Sequence, residues 1–282
     1  MKIISAIKKD MEFNQGLSSL IEVLKSIAVG QYKILERNIQ SCEKFVSSLE
    51  SFFELIDIAK VHHPFLYPSD KPLAVVAVTS DAGLLGGLNM QVVNRALVEL
   101  EKTPGKLIVI GERGKAYARE SKVPFVAFGG IKDEERYAQA MQLRDYCMDQ
   151  VLGGNFGSMK VVYPRSISFT VQRVDMLTLL PFALPSSPAP SRQALTQDII
   201  LESSLDDLIE YLIYLWMGQK FYEIFGLSRL AEFAARYIHL EGSHQRLKDI
   251  DAKIRLEYFR VRHELIDRNM RELFAARLLY AQ

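Results

Sequence analysis

The sequence predicts an α/β protein in which two long terminal helices pair as an antiparallel coiled coil and a central head domain holds a mainly parallel sheet. Two observations favour this fold class. Proline-free stretches with helically spaced apolar residues flank the chain, and short valine-rich runs alternate with helical segments between them. We therefore expect an N-terminal helix over residues 1–60, a head domain over 72–182, and a C-terminal helix over 204–282 that pairs with the first as a shaft.

The N-terminal arm is predicted from the absence of proline between residues 3 and 58 and from the spacing of its apolar side chains. These recur mostly three or four positions apart, or at multiples of that spacing, which places on one helix face Leu17, Ile21, Leu24, Ala28, Leu35, Cys42, Val46, Leu49, Phe53 and Ile56. A helix of this length would span roughly 80 Å, far longer than the average helix of a globular domain. A partner helix is needed to cover its apolar face.

The head domain is expected to begin after Pro64, Pro68 and Pro72, which end the first helix because proline lacks the amide donor. Residues 73–79 then form a short, valine-rich apolar run that is typical of a strand buried on both faces. Further strands are predicted at residues 106–110, 123–128, 159–164, 170–174 and 176–180, and helices at 89–102, capped by Asn89, 112–121 and 133–152. This alternation of strand and helix indicates a largely parallel sheet.

The C-terminal arm follows a proline-rich segment, residues 181–190, that is predicted to be a linker. No proline occurs after Ser204, and the arm would span roughly 110 Å as one helix, with Gly218, Gly226 and Gly242 as candidate bends. Its apolar stripe comprises Leu205, Leu208, Ile209, Leu212, Ile213, Trp216, Leu227, Leu230, Phe233, Ala234, Tyr237, Leu247, Ile250, Ile254, Tyr258, Val261 and Leu265.

The composition is that of a folded protein with balanced charge: 282 residues, 49% hydrophobic, 24% charged and a net charge of +1. A nucleic-acid partner is therefore not expected. Cys42 and Cys147 belong to no metal or redox motif and fit a reducing compartment, so we expect a cytoplasmic location. We expect neither a secretory signal nor a transmembrane segment, because the most apolar run, residues 208–216, contains Glu210 and is shorter than the ~20 residues that a span needs.

The motif that most resembles a binding site is the glycine-rich turn of residues 79–89, Thr-Ser-Asp-Ala-Gly-Leu-Leu-Gly-Gly-Leu-Asn. Backbone amides in such a turn can hold phosphate. A dinucleotide fingerprint that starts at Gly83 would need glycine where Leu85 stands, and no Gly-Lys-Ser/Thr follows. The histidines have no metal-binding spacing, and no nucleophile stands out. We predict no catalytic, metal or cofactor residue, with a nucleotide-binding α/β enzyme as the least favoured alternative.

The same turn, the two helical arms and the α/β middle together resemble the gamma subunit of F-type ATP synthases over the whole chain. That family carries Thr-Ser-Asp-Arg-Gly-Leu-Cys-Gly-Gly-Leu-Asn at this place, and only Ala82 and Leu85 depart from it. Residues 108–114 and 232–236 are similar to two further family motifs, an apolar strand followed by Gly-x-Lys/Arg-Gly and the pentapeptide Glu-x-Ala-Ala-Arg. The residues that we take as the structural motif of the head are Asp81, Gly83, Gly86, Gly87 and Asn89.

The resemblance implies a central rotor stalk. Its arms would wind inside a hexamer of alpha and beta subunits, while the head end would dock on the epsilon subunit and a membrane ring of c subunits. The chain would itself be non-catalytic and would meet the membrane only indirectly, as a peripheral part of a complex on the cytoplasmic face. Its rotation would couple ion flow to ATP synthesis or hydrolysis through contacts that differ between the three catalytic subunits.

The resemblance also implies partner contacts at Glu22, Lys25, Arg262, His263, Ile266, Asp267 and Glu272. The family's first-arm signature, Lys-Ile-Thr-Lys-Ala-Met-x-Met-Val-Ala, aligns with residues 19–28, where Glu22 replaces a lysine. Near the C terminus, Arg262, Ile266 and Glu272 match the family. His263 and Asp267, in contrast, replace its glutamine and threonine.

Further departures at the C-terminal signature are Asn269, Ala276 and Arg277, which replace Glu, Gly and Ala of the family. The side chains at the end of the arm are consequently bulkier and more basic than those of the family. They would need a different bearing from one shaped for small side chains. This leaves a second hypothesis open, namely a gamma-derived adaptor or scaffold that has kept the fold and lost rotary coupling.

Overall fold

The computed structural model describes residues 4–39, 48–49, 52–53, 63–67, 70–182 and 203–279. Their contacts form two compact units: the arm unit, Met1–Ala28 with Tyr237–Gln282, and the head unit, Val29–Arg236. Several sequence predictions concern positions outside the described residues, among them Cys42, Val46, Ile56 and most of the proline-rich segment.

The long terminal helices that the sequence predicts are confirmed. In chain order the elements are α1 (Ile4–Ile39), β1 (Leu73–Val78), α2 (Leu88–Lys102), β2 (Gly105–Ile110), α3 (Glu112–Glu120), β3 (Phe125–Phe128), α4 (Arg136–Leu152), β4 (Ser158–Ser168), β5 (Val171–Leu180) and α5 (Leu205–Leu279). The Ser204 hydroxyl caps the start of α5 by accepting a hydrogen bond from the Asp207 N–H at 3.1 Å. From there α5 continues as one helix of 75 residues, uninterrupted at the three glycines proposed as bends.

In the arm unit, α1 and α5 pack against each other in antiparallel orientation. The pairing direction follows from the contacts, since Lys25 forms an ion pair with Glu241 while Ser18, earlier in α1, bonds to His244, later in α5. Apolar side chains between the helices form a cluster of Leu17, Ile21, Leu24, Leu240 and Leu247. The predicted stripe is wrong at Ile250 and Leu265, which are 48% and 43% exposed.

The head unit contains a five-stranded sheet in the order β3-β2-β1-β4-β5. The first four strands are parallel and β5 is antiparallel to β4, so the predicted mainly parallel sheet is confirmed. All six side chains of β1, the central strand, are buried. The prediction of two strands at residues 170–174 and 176–180 is wrong. Asp175 lies within one continuous strand because its carboxylate pairs with Arg173 at 2.6 Å and with Arg165 at 3.6 Å.

Helices cover both faces of the sheet. On one face, α2 and α3 pack against alternate residues of β1 and β2, including Val75 and Val109. On the other face, α4 and the head portion of α5 bury the remaining side chains, including Val76. The helices α4 and α5 approach closely at Gly218, where a Cβ would lie 2.8 Å from Met141 Cε. The head core therefore has three layers, with the sheet in the middle.

Candidate functional site

The 79–89 turn follows β1 and joins it to α2, and its first residue, Thr79, connects three elements. The buried Thr79 hydroxyl donates to the Ile110 carbonyl oxygen at 2.5 Å and accepts from the Gly114 N–H at 3.0 Å. A Cβ at Gly114 would overlap this hydroxyl, so the close approach requires glycine. Thr79 thus ties the end of β1 to the end of β2 and to the start of α3.

Asn89 has a different role from the predicted helix cap. Helix α2 begins one residue earlier, at Leu88, and its N-cap residue is Gly87. The buried Asn89 amide instead accepts from the Ser80 N–H at 3.2 Å and donates to the Ser80 hydroxyl at 2.9 Å. The prediction of an Asn89 cap is wrong because the backbone N–H of Ser80, buried just beyond β1, needs a partner, and the Asn89 side chain supplies it.

Asp81 caps a helix that lies far along the chain. Its carboxylate accepts from the Glu112 N–H at 2.8 Å, in the first turn of α3. The N-cap residue of α3 is Gly111, which has φ of 95° and no side chain to act as a cap. A Cβ at Gly130 would overlap the Asp81 carboxylate, so the absence of a side chain there makes the contact possible. Asp81 therefore satisfies a helix amide and places negative charge at the positive end of the helix.

The glycines of the 79–89 turn serve its geometry. The backbone is left-handed at Leu84 and Gly86, with φ of 64° and 61°. A Cβ at Gly83 would lie 3.0 Å from Arg113 Nη2. The cavity that the turn lines, among the described residues, has a volume of about 10 Å³, the scale of a single water molecule. The turn therefore joins β1, β2 and α3, and the cavity that it lines is no larger than one water molecule needs.

The Glu-x-Ala-Ala-Arg segment, residues 232–236, forms a second polar cluster in the head unit. The buried Glu232 carboxylate accepts from Arg229 at 2.6 Å and from Arg236 at 2.5 Å. Both guanidinium groups lie over the ring of Phe233, at 4.6 and 5.8 Å from its centroid. Burial lowers the pKa of Arg229, but its hydrogen bond with Asp133 and the charge of Glu232 outweigh burial and raise that pKa. This family motif is also used inside the fold.

The two predicted partner contacts on α1 lie in the arm unit and differ in exposure. Lys25 forms an ion pair with Glu241 and lies 5.6 Å from the centroid of the Tyr237 ring. The hydrogen bond with Glu241 raises the pKa of Lys25. Glu22 approaches His244 at 3.7 Å, and its side chain is 64% exposed. Lys25 is therefore already used in pairing the arms, whereas most of Glu22 faces solvent.

The other predicted contacts, Arg262, His263, Ile266, Asp267 and Glu272, lie in the α5 end, which we define as residues 262–277. Every side chain of this segment is exposed. Large apolar side chains are among them: Leu265, Ile266, Met270, Leu273 and Phe274, which are 43 to 67% exposed. The ion pair of Arg268 with Glu272, at 2.9 Å, lies within the helix. A continuous exposed apolar face of this kind is typical of an interaction surface.

The sequence predictions missed two polar residues of the arm unit. Asn14 of α1 and Asp251 of α5 both line one solvent-open groove. Asn14 is 9% exposed and stands seven residues after the buried Ile7 and seven before the buried Ile21. This seven-residue spacing was the signal that could have identified it.

Other features of the described residues add no reactive site. The Cys147 thiol is buried, and burial raises its pKa. No cluster of three His, Cys, Asp or Glu side chains suited to a metal ion occurs in the described part of the chain. Within the same ranges, none of the helices combines the length and apolar character that crossing a membrane requires.

Comparison with known protein families gives a match over nearly the whole chain. A family model described as ATP synthase matches residues 4–277. The chain is 25% identical over 277 residues to the ATP synthase gamma chain of Symbiobacterium thermophilum, with 95% of each chain covered. It is 25% identical over 201 residues to the gamma chain of Clostridium beijerinckii, covering 70% of this chain and 69% of that one.

Solved structures with the same fold are also known. The chain resembles one from the rotor of the Euglena gracilis mitochondrial ATP synthase, with a TM-score of 0.68, 16% identity, and 93% and 98% of the two chains covered. It also resembles one from the central stalk and c-ring of the Tetrahymena thermophila enzyme, with a TM-score of 0.61, 18% identity, and 79% and 99% covered. At these identities the likeness concerns the fold.

Proposed function

Because the chain belongs to the gamma-chain family of ATP synthases, we propose that it is a central rotor stalk that couples ion flow through a membrane ring to ATP synthesis or hydrolysis in an alpha/beta hexamer. The family membership confirms the resemblance expected from the 79–89 turn and the arms. A gamma chain is a non-catalytic subunit of the ATP synthase complex. The chemistry would therefore belong to partner subunits, and this chain would act by changing their conformational preferences.

The observation that carries the proposal is the exposed apolar face of the α5 end. Leu273 and Phe274 are 67% and 60% exposed on a helix that no described residue covers there. Burying one large apolar side chain contributes about 1.5 to 3 kcal/mol, so a partner that encloses this segment would gain several such contributions. An alpha/beta hexamer that surrounds the end of the shaft would be such a partner.

Rotary coupling follows from the asymmetry of such a shaft. A helix presents different side chains in each direction: Glu272 and Phe274, for example, point away from each other because they are two positions apart. Three catalytic subunits around the helix would each meet a different face. Turning the shaft would change which face each subunit meets, and therefore which conformation each one prefers.

The head would supply the remaining contacts of the proposal, with an epsilon subunit and a c-ring. Support comes from the similar structures, which are described as a rotor and as a central stalk with a c-ring. In this arrangement the chain would be a peripheral part of a membrane complex on its cytoplasmic face.

Native purification tests the proposal. We expect a tagged chain, isolated from detergent-solubilised membranes, to co-purify with alpha and beta homologues and with ATPase activity. Replacing Leu273 and Phe274 together by Ala should reduce this recovery, while Val171→Ala, at an exposed apolar position of the head, serves as a matched control. Purification that never recovers alpha and beta homologues would contradict the proposal.

The adaptor hypothesis is the second candidate function. It is favoured by the placement of Lys25, whose charge is engaged with Glu241 inside the arm unit, and by the altered side chains at Glu22, Asp267, Asn269 and Arg277. A strain that lacks this chain distinguishes the two functions. Intact coupling of ATP hydrolysis to ion transport in that strain, with a second gamma chain present, would favour the adaptor, whereas loss of coupling would support the rotor.

A further inference from the structure

The seam of α1 that faces α5 in the arm unit repeats every seven residues. Ile7, Asn14, Ile21 and Ala28 are 1%, 9%, 7% and 1% exposed. A seven-residue repeat of buried positions is the pattern of a coiled coil, in which each such position normally holds an apolar side chain. Asn14 is the polar member of this set.

The facing seam of α5 also contains a polar residue at this level. Buried or half-buried side chains follow one another at intervals of four and three residues: Leu240, His244, Leu247, Asp251, Ile254, Tyr258 and Val261. Asp251 occupies one of these seam positions. The apolar side chain of its neighbour Ile250 lies outside the seam and is 48% exposed. The Asp251 carboxylate pairs with Arg255 of its own helix at 2.8 Å. Both seams therefore carry a polar residue here.

This polar layer, Asn14 with Asp251, borders an open groove. Both residues line this solvent-open groove of about 420 Å³, together with Met11, Gln15, Ser18, Leu247 and Arg255 among others. The Asn14 amide nitrogen is buried and has no hydrogen-bond partner among the residues that the structure describes. An unsatisfied buried donor weakens the pairing of two helices at that point.

The contacts on the two sides of the polar layer are unequal. Towards residue 28, the arms share the apolar cluster around Ile21, the ion pair of Lys25 with Glu241, and the 3.0 Å contact of Ser18 with His244. On the other side, Ile7 is the one fully buried apolar side chain among described residues 4–13 of α1. The α1 segment before Asn14 therefore has one fully buried apolar side chain, whereas the segment after it has Ile21 and Ala28, and Asp10 adds a polar contact to the first segment.

We propose that the Asn14–Asp251 layer is a built-in opening point, at which residues 4–13 of α1 and residues 252–261 of α5 separate and re-pair while the arms stay paired from Ser18 onward. Local opening of this kind has a lower free energy than global unfolding wherever buried apolar contacts are few. The layer would let the outer part of the arm unit adapt to its surroundings without loss of the inner pairing. The inference rests on the arm unit alone and holds for a rotor or an adaptor.

Hydrogen exchange on the full-length chain tests the proposal. Amides of residues 8–13 should exchange faster than those of residues 21–26 by at least about tenfold. Asn14→Leu, which removes the unpaired donor and places an apolar side chain in the seam, should slow exchange at residues 8–13 by about tenfold and leave the amides of β1 unchanged. Ser19→Leu is the matched control, because Ser19 is an exposed polar residue of α1 that does not line this groove and should produce no slowing.

A second variant tests whether the change in exchange comes from the layer and not from Asn14 alone. Asp251→Leu changes the same layer from α5 and should also slow exchange at residues 8–13, with native protection of β1 showing that the head has folded. Equal protection of the two α1 segments in the wild type, or no slowing in either leucine variant, would overturn the proposal.

Discussion

The 79–89 turn and the α5 end use polar and apolar groups in opposite ways. In the turn, Thr79, Ser80 and Asn89 are buried, and their side chains form hydrogen bonds to the end of β2 or within the turn itself. In the α5 end, every side chain is exposed, including Leu273 and Phe274. The polar groups of the turn therefore have hydrogen-bond partners within this chain. The apolar side chains of the α5 end remain exposed, as is typical of an interaction surface.

This difference parallels where the chain follows its family and where it departs. The turn matches the family at nine of its eleven positions, and four of the matching residues, Thr79, Ser80, Asp81 and Asn89, form side-chain hydrogen bonds inside the fold. The α5 end departs at His263, Asp267, Asn269 and Arg277, whose side chains are exposed. A match in the turn therefore indicates the fold, whereas the α5 end is the segment that we propose to meet a partner.

The largest change in the free energy of unfolding is expected at Phe233, which we compare with Phe274 of the same helix. Phe233 is 2% exposed and lies under two guanidinium groups, whereas Phe274 is 60% exposed. Phe233→Ala should lower the free energy of unfolding by about 3–5 kcal/mol through lost burial and a cavity. Phe274→Ala should change it by less than about 0.5 kcal/mol. Urea unfolding of the full-length chain measures both, and similar losses would refute the contrast.

The next effect concerns the Thr79 hydroxyl. Thr79→Val keeps the shape of the side chain but leaves the Gly114 N–H without its acceptor, which should cost about 2 kcal/mol. Thr170→Val, at an exposed position, should cost less than about 0.5 kcal/mol. Denaturant midpoints of the two variants provide the comparison, and an unchanged midpoint for Thr79→Val would show that the buried bond is unimportant.

A buried carboxylate of the head allows a test by pH. Glu99 accepts hydrogen bonds from Lys102 and Lys160, each at 2.9 Å, and these lower its pKa from 4.5 to about 2. Because the pKa is lowered in the folded state, the stabilisation is complete above pH 4.5 and is lost as the pH falls towards 2. Glu99→Gln should therefore cost about 1–2 kcal/mol at neutral pH and progressively less over that interval.

The matched control for Glu99 lies in the α5 end. Glu272 forms an ion pair with Arg268, but both side chains are exposed, at 63% and 75%. Glu272→Gln should change the free energy of unfolding by less than about 0.5 kcal/mol at any pH. Unfolding measured at a series of pH values checks both variants, and a pH-independent cost for Glu99→Gln would rule out the assigned cause.

The smallest of the four effects concerns the cap of α3. Asp81→Ala removes the acceptor of the Glu112 N–H and should cost about 1 kcal/mol. Asp81→Asn keeps an acceptor oxygen and should recover most of that loss. Amide exchange at Glu112 separates the two variants, and equal exchange rates in both would argue against a capping role.

The sequence was sufficient for the element types of the fold because their hydrophobic periods are long and regular. Valine-rich β1 and the apolar stripes of α1 and α5 are recognisable from spacing alone. The continuity of β5 was not recognisable from spacing, because Asp175 interrupts an apolar run in the sequence. Its arginine partners become known only from the structure. The role of Asn89 was missed for the same reason, because its partner Ser80 belongs to the end of a different element.

The candidate contact residues could be predicted from the sequence only in part. The resemblance supplied the residues of the α5 end, and the structure places all of them on one exposed segment. It could not show that Lys25 is engaged by Glu241, because that contact joins residues from opposite ends of the sequence. The choice of Asp251 over Ile250 for the seam likewise depends on how α5 is rotated about its axis, which an apolar count does not determine.

The cap that Asp81 provides to α3 has a consequence for how the head folds. The two bonded residues are 31 positions apart, one after β1 and the other after β2, so their hydrogen bond needs these strands to be paired in register. Helix α3 has nine residues and is too short to persist by itself in water. The segment from β1 to α3 should accordingly form in one cooperative step, whose speed is limited by closing the crossover between the strands.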